Sequence, residues 1–395
     1  MDTTQLNDLI TWLAEGARSA VRTDLFMSET CERMVACGIP LFRVGVFVRT
    51  LHPSMMGRGF IWRAGTGVTL GSMAHGEEDG EEFQISPLHR VFNEGVEVRH
   101  SLRDDMVSNR PFLTEMRAEG CTDYIALPLV MSDGEFYASS WITRDPEGFT
   151  EAQLVGLRRI MPSLTRMIEI HLLRRTAAGL LDNYVGARAG ARILAGQIRR
   201  GHTETMQAVI WLSDLRGFTA LSDRLQPENV VDILNRYFDC QVPAILEQGG
   251  EVLKFMGDGL LAVFPVAEDE DDLTAVCGRV LEAARLSRAA VEQLRWAGAS
   301  LTEEQFRFGL ALHVGKVLYG NIGGGDRVDF TCIGPAVNLA ARLEKIAGKL
   351  SRTVVASSAF VDASGVEWTD LGEFPIAGFA RAERVYGLAD EDALP

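Results

Sequence analysis

The apolar positions along this chain change period twice, and those changes divide it into three zones. From the start to about residue 150 the pattern is mixed: a helical opening, LNDLITWLAEGARSAV, then the strand-like FRVGVFVRTL, a glycine-rich turn around MMGRGF and a further strand. YIALPLVMSDGEFYASSWITR closes that zone and predicts a β-hairpin about Ser-Asp-Gly. Over 151–201 apolar residues recur at three and four with Arg and Glu between them, which predicts a helical connector and a candidate dimer seam. Pro162, Gly186, Gly190 and Gly196 argue against one unbroken rod. Over 202–395 strands and helices alternate. AVIWLSD is nearly all apolar up to Asp214, as expected of a central strand covered on both faces. PENVVDILNRYFDCQVPAILEQGG predicts a helix, LKFMGDGLLAVF a hairpin, 269–294 a helix and FRFGLALHVGKVLYG a strand; a GGGD loop, DFTCIG and the helix PAVNLAARLEKI follow. That order predicts an α+β fold built on a ferredoxin-like βαββαβ sheet.

Composition narrows the class. The chain has 395 residues, 47% of them apolar, and a net charge of -15, which describes a globular protein and argues against a nucleic-acid partner. The opening MDTTQLND has no basic and apolar leader, and runs such as YIALPLVM fall far short of the roughly twenty residues a membrane helix needs. No membrane span and a cytoplasmic location are therefore expected. Six cysteines are scattered with no Cys-x-x-Cys pair, so reduced and mostly buried thiols are expected rather than zinc or disulfides. The acidic run EDEDD at 268–272 reads as the solvated first turn of the helix it opens.

Two aspartates carry the candidate chemistry. Asp214 ends an apolar strand and leads through LRGFT into a helix, a place for either a helix N-cap or a carboxylate beside a phosphate. Asp258 sits at a Gly-Asp-Gly hairpin tip that can lie beside that strand end, because neighbouring strands are about 5 Å apart. Two carboxylates converging there suit a pair of Mg²⁺ ions, and a second glycine suits close ligand approach beyond what a turn needs.

WLSDLRGFTALS, LKFMGDGLLAVF and DFTCIGPAVNLAARLE, in this order, resemble the three core motifs of class III nucleotidyl cyclases, over Met206 to about Leu388. The resemblance implies an adenylate cyclase: a homodimer with composite sites that converts ATP to cyclic AMP and pyrophosphate with two Mg²⁺ or Mn²⁺ ions per site. It implies that Asp214, Asp258 and Leu215 hold metal and that Leu215, Arg216, Gly217, Phe218 and Thr219 form the phosphate-facing turn. Lys254 matches the purine-reading position and Thr331 the second one. A lysine there favours adenine, since it donates to the acceptor N1, where guanine offers a donor. Asn338 and Arg342, four apart on one helix face, match the residues that orient the ribose and steady the α-phosphate charge, and in the dimer they face the partner's aspartates.

Three points qualify that picture. In LGEFPIAGFARAERVYGL the family commonly has a lysine before the glycine, and here Ala377 stands there, which leaves Arg381 as a substitute or weakens triphosphate binding. A guanylate cyclase, or a nucleotide-binding module that has lost turnover, are the alternatives. GGGDR at 323–327 lacks the Glu-Phe continuation of diguanylate cyclases and reads as a loop, and His313 inside an apolar strand reads as a satisfied core residue. Residues 1–150, with the exit helix after them, resemble a GAF sensor domain in element order. A small-molecule ligand, a purely structural dimerisation role and a tetrapyrrole at Cys121 all stay open, and Phe60, Trp62 and Trp141 read as core.

Overall fold

The computed structural model describes residues 1–53, 55–77, 80–103, 110–266, 270–295, 306–325 and 327–389, apart from the side chains of 270–272. The acidic run 268–272 and loop residue 326 thus lie outside the described side chains. The chain divides into two compact units, Met1–Leu180 and Leu181–Pro395.

The first unit runs α1 (Thr3–Ala14), α2 (Thr23–Ala36), β1 (Arg43–His52), β2 (Met55–Arg63), β3 (Gly67–Ala74), α3 (Glu81–Gln84), α4 (Pro87–Glu94), β4 (Val98–Ser101), α5 (Pro111–Ala118), β5 (Asp123–Val130), β6 (Phe136–Thr143) and α6 (Glu151–Val185). Its six strands form an antiparallel sheet in the order β3-β2-β1-β6-β5-β4. Alternation along the strands sends Val44, Val46 and Val48 to one face, where they meet Leu6 and Leu9 of α1 and Leu157 and Ile160 of α6. Tyr124, Ala126 and Ala138 face the other way, against Val91 of α4 and Leu113 of α5. Trp62, Phe60 and Trp141 belong to the first of these cores, as expected.

Three expectations are corrected here. MMGRGF is strand β2 rather than a turn. Its glycines make room: a Cβ on Gly59 would stand 3.2 Å from the Phe47 ring and one on Gly57 3.1 Å from the Val48 carbonyl. The 151–201 stretch starts as core rather than connector, since α6 buries residues Leu154 to Ile168 in the first unit. Pro162 is accommodated inside that helix, and the break comes at Gly186, where φ is 87°.

The second unit runs α7 (Ala187–Leu194), β7 (Thr203–Leu215), α8 (Phe218–Ser222), α9 (Pro227–Asp239), α10 (Val242–Glu247), β8 (Glu251–Met256), β9 (Gly259–Pro265), α11 (Glu270–Gln293), β10 (Phe308–Gly324), β11 (Arg327–Ile333), α12 (Pro335–Lys349), β12 (Val354–Ser357), α13 (Ser358–Ser364), β13 (Trp368–Phe374) and β14 (Glu383–Leu388). Within its sheet, β10-β7-β9-β8 are neighbours and all antiparallel, with α9 and α10 joining β7 to β8 and α11 joining β9 to β10. That is the βαββαβ order the sequence predicted. The stretch expected as one helix from Pro227 divides into α9 and α10, because Pro243 cannot donate into a continuing helix. Strand β7 is apolar from Ala208 to Leu212 because both its faces are covered. Val209 and Trp211 pack with the α11 side, and Ala208 and Ile210 with Ala336 and Ala340 of α12.

Candidate active site

The site grows from the register of β7 against its neighbours. Asp214, one residue from the end of β7, pairs with Gly259 of β9 on one side and Gly309 of β10 on the other. The β8–β9 turn brings Asp258 to the same end of the sheet. The two glycines flanking Asp258 have different tasks. Gly257 takes φ of 69°, which the turn requires, while a Cβ on Gly259 would stand 3.4 Å from Asp214 Oδ1 and 3.2 Å from the Ser213 carbonyl. The second glycine therefore clears the way for Asp214 to approach. Burial and the nearby carboxylates of Asp258 and Glu344 push the Asp214 carboxyl up to about 6, against the lowering effect of Arg216. Two like charges held together at a half-buried strand end fit a divalent cation between them. No cluster of three or more Cys, His, Asp or Glu forms a metal site among the described residues.

The turn after Asp214 departs from a simple phosphate cradle. Leu215 is buried in the core, which leaves only its carbonyl to face a metal. Gly217 adopts φ of 71° and leads into the short α8, with Phe218 partly buried and Thr219 exposed. Arg216 turns inward. Its Nη1 pairs with Glu344 Oε1 of α12 at 2.8 Å, and its Nη2 donates to the Glu344 carbonyl at 3.3 Å. Gly309 and Gly348 make room for it, since a Cβ on either would overlap the guanidinium.

On the neighbouring strand Lys254 forms an ion pair with Asp329 of β11. Thr331 lies two residues beyond Asp329 on the same face of β11 and is 7% exposed. Asn338 and Arg342 sit on the exposed face of α12, opposite the buried Leu339, Ala340 and Leu343. Neither side chain makes a hydrogen bond or ion pair with a described residue, so the chain does not join them to the carboxylate pair by itself. Ala377 and Arg381 are exposed in the connection between β13 and β14. His313 is buried, hydrogen-bonded to Ser357 Oγ at 2.7 Å, and pushed down to about 4 by burial, the state of a neutral core residue.

Residues 202–389 match the family described as the adenylate and guanylate cyclase catalytic domain. The match covers slightly under half of the chain, and over it the chain is similar to a nucleotidyl cyclase catalytic domain. An adenylate cyclase of Anabaena cylindrica is 33% identical over 151 residues, covering 37% of this chain and 28% of that protein. The terminal-differentiation-specific adenylate cyclase of Dictyostelium discoideum is 30% identical over 194 residues, covering 46% of this chain and 8% of that protein. The chain thus spans well under a third of the length of these relatives. The crystal structure of the adenylyl cyclase CyaB from P. aeruginosa aligns at 27% identity and TM-score 0.42, covering 49% of this chain and all of that one. No described helix is long and apolar enough to cross a membrane.

Two residues of the second unit escaped the sequence reading. Asp329 holds Lys254, and Glu344 holds Arg216. For Asp329 the alternation of DFT in a strand puts it on the face of Thr331, a readable signal. Glu344 had no comparable mark, because a buried helix glutamate looks like a solvated one until its partner is known.

Proposed function

We propose that the chain is an adenylate cyclase that acts as a homodimer, forming 3′,5′-cyclic AMP and pyrophosphate from ATP. The observation that carries this reading is the convergence of Asp214 and Asp258 at one end of the sheet, with Lys254 on the adjoining strand. Mg²⁺ or Mn²⁺, two per site, held by the two carboxylates and the Leu215 carbonyl, would supply charge neutralisation and an acidified 3′-hydroxyl.

The chain's own residues do the rest. Lys254 Nζ, kept in place by Asp329, donates to adenine N1, and the Thr331 hydroxyl accepts from the exocyclic amine. Asn338 and Arg342 of the partner subunit orient the ribose and stabilise charge on the α-phosphate as the 3′-oxygen bonds to phosphorus and the bond to the β-phosphate bridge breaks. Their exposure, with no side-chain partner among the described residues, supports a composite site. Arg216, engaged with Glu344, braces the turn against α12 rather than reaching phosphate. The first unit acts as a GAF-like regulatory domain, with α6, which starts in its core and ends in the second unit, as the lever.

Ala377 favours a second reading, a nucleotide-binding module with weak turnover, because one charged contact to the terminal phosphates is absent. Production of cyclic AMP and cyclic GMP by the purified chain from ATP and GTP decides between them: the first reading expects cyclic AMP in excess, and ATP binding with no product supports the second.

A further inference from the structure

The first unit contains a buried guanidinium with no hydrogen-bond or ion-pair partner among the described residues. Arg43, at the start of β1, is 6% exposed, and its Nε and Nη1 are buried without a hydrogen-bond partner. Burial holds its guanidinium below the usual arginine range. The carboxylate of Glu119 is already engaged by Arg63 at 2.9 Å and Arg144 at 3.7 Å. The guanidinium carbon of Arg43 lies over the Phe112 ring, 4.9 Å from its centre, a contact that uses none of its N–H donors. A buried, unpaired cation is costly, and native interiors do not keep one without a use.

Arg43 lines a cavity of about 580 Å³, and Ser140, whose buried hydroxyl also lacks a partner, lines it too. Arg110 joins them, with Nη1 on His100 Nε2. A second cavity of about 560 Å³ shares the walls Phe47, Met73, Phe83 and Leu88 with the first. The volume and the aromatic lining are those of a small-molecule site. Glu77, Glu81 and Glu82 also line the cavity, but they are exposed at its rim, so the positive charge belongs to the floor and the negative charge to the mouth.

We propose that this cavity binds a small organic anion, a carboxylate or phosphate monoester on a flat apolar body, with Arg43 as its charge partner and Phe47 and Phe83 against the body. The anion replaces the missing acceptors of Arg43 with a charge-assisted fork, and Ser140 adds a hydroxyl donor. Tetrapyrrole attachment at Cys121 does not compete with this. That thiol is 3% exposed and burial pushes it up, away from reactivity. The proposal specifies the ligand class of the regulatory unit, but its test reads binding and stands whether or not the chain turns over ATP.

The test uses the full chain, calorimetric titration and thermal unfolding, with four probes: 2-naphthoate, 2-naphthyl phosphate, neutral 2-naphthamide and inorganic phosphate. At least one naphthyl anion is expected to bind about tenfold or more tighter than the amide, and the tighter of the two identifies the headgroup. Arg43→Met should lose that preference while its ligand-free thermal midpoint stays level or rises, because an unanswered charge has been removed. Arg43→Lys should retain part of the preference. Equal binding of anion and amide, no binding of either naphthyl anion, or anion binding that survives Arg43→Met would overturn the proposal. So would a fall in the ligand-free midpoint of Arg43→Met, which would make the arginine a structural brace on Phe112.

Discussion

Lys254 and Asp329 form a two-residue device whose members have separate signatures. Lys254→Glu exchanges a donor for an acceptor opposite the purine and should shift the ratio of cyclic AMP to cyclic GMP by about tenfold or more toward guanine. Unchanged selectivity would show that Lys254 does not read the base. Asp329→Asn leaves the lysine in place but loosens it, so it should raise KM for ATP several-fold with a smaller effect on kcat, the mark of a positioning residue. His313 gives a stability prediction whose sign follows from burial. Its folded pKa of about 4 lies below the ordinary 6.5, so the unfolded chain takes up the proton first as pH falls. The neutral histidine's contribution is fully present above about pH 6.5, declines through that window and is lost below about pH 4, a span of about 3 kcal/mol. In His313→Gln the slope of unfolding free energy against pH over that window should shrink by about one proton; an unchanged slope would assign the pH dependence to other groups.

The elements with a strong period were legible and the exceptions have physical causes. The apolar run AVIWLSD announced a doubly covered strand, and the structure sandwiches it between two cores. MMGRGF misled because glycine marks turns on average, whereas here Phe47 demands bare backbone on the next strand. The helix from Pro227 was read through a proline that starts a new helix. Glycine spacing in the connector was informative at two of three positions: Gly190 lies inside α7, but Gly196, with φ 85°, follows the end of that helix, and Gly186 breaks the connector with φ 87° and ψ 151°. That backbone region is nearly closed to other residues. Gly186→Ala should therefore cost about 1 to 3 kcal/mol in denaturant unfolding, and a neutral result would mean that the α6–α7 junction relaxes. Among the proposed site residues, motifs marked the aspartates, Lys254 and the α12 pair, while the inward turn of Arg216 depended on Gly309, Gly348 and Glu344, which lie far apart in sequence.

At the scale of the whole molecule the proposed composite site makes a sharp demand. Arg342→Ala and Asp258→Ala should each be inactive alone, yet their equimolar mixture should regain about a quarter of native activity, since half of random dimers would carry one intact site of two. A mixture as inactive as its parts would mean that each chain works by itself or not at all. The proposed regulation by the first unit is a separate layer, and the catalytic claim stands without it. The most direct measurement of that claim is cyclic AMP formation from ATP by the purified chain with Mg²⁺ or Mn²⁺, beside folded Asp258→Ala. The account predicts product from the native chain and a loss of about a hundredfold or more in the variant; product at equal rates from both, or none from a native dimer that binds ATP and metal, would contradict it.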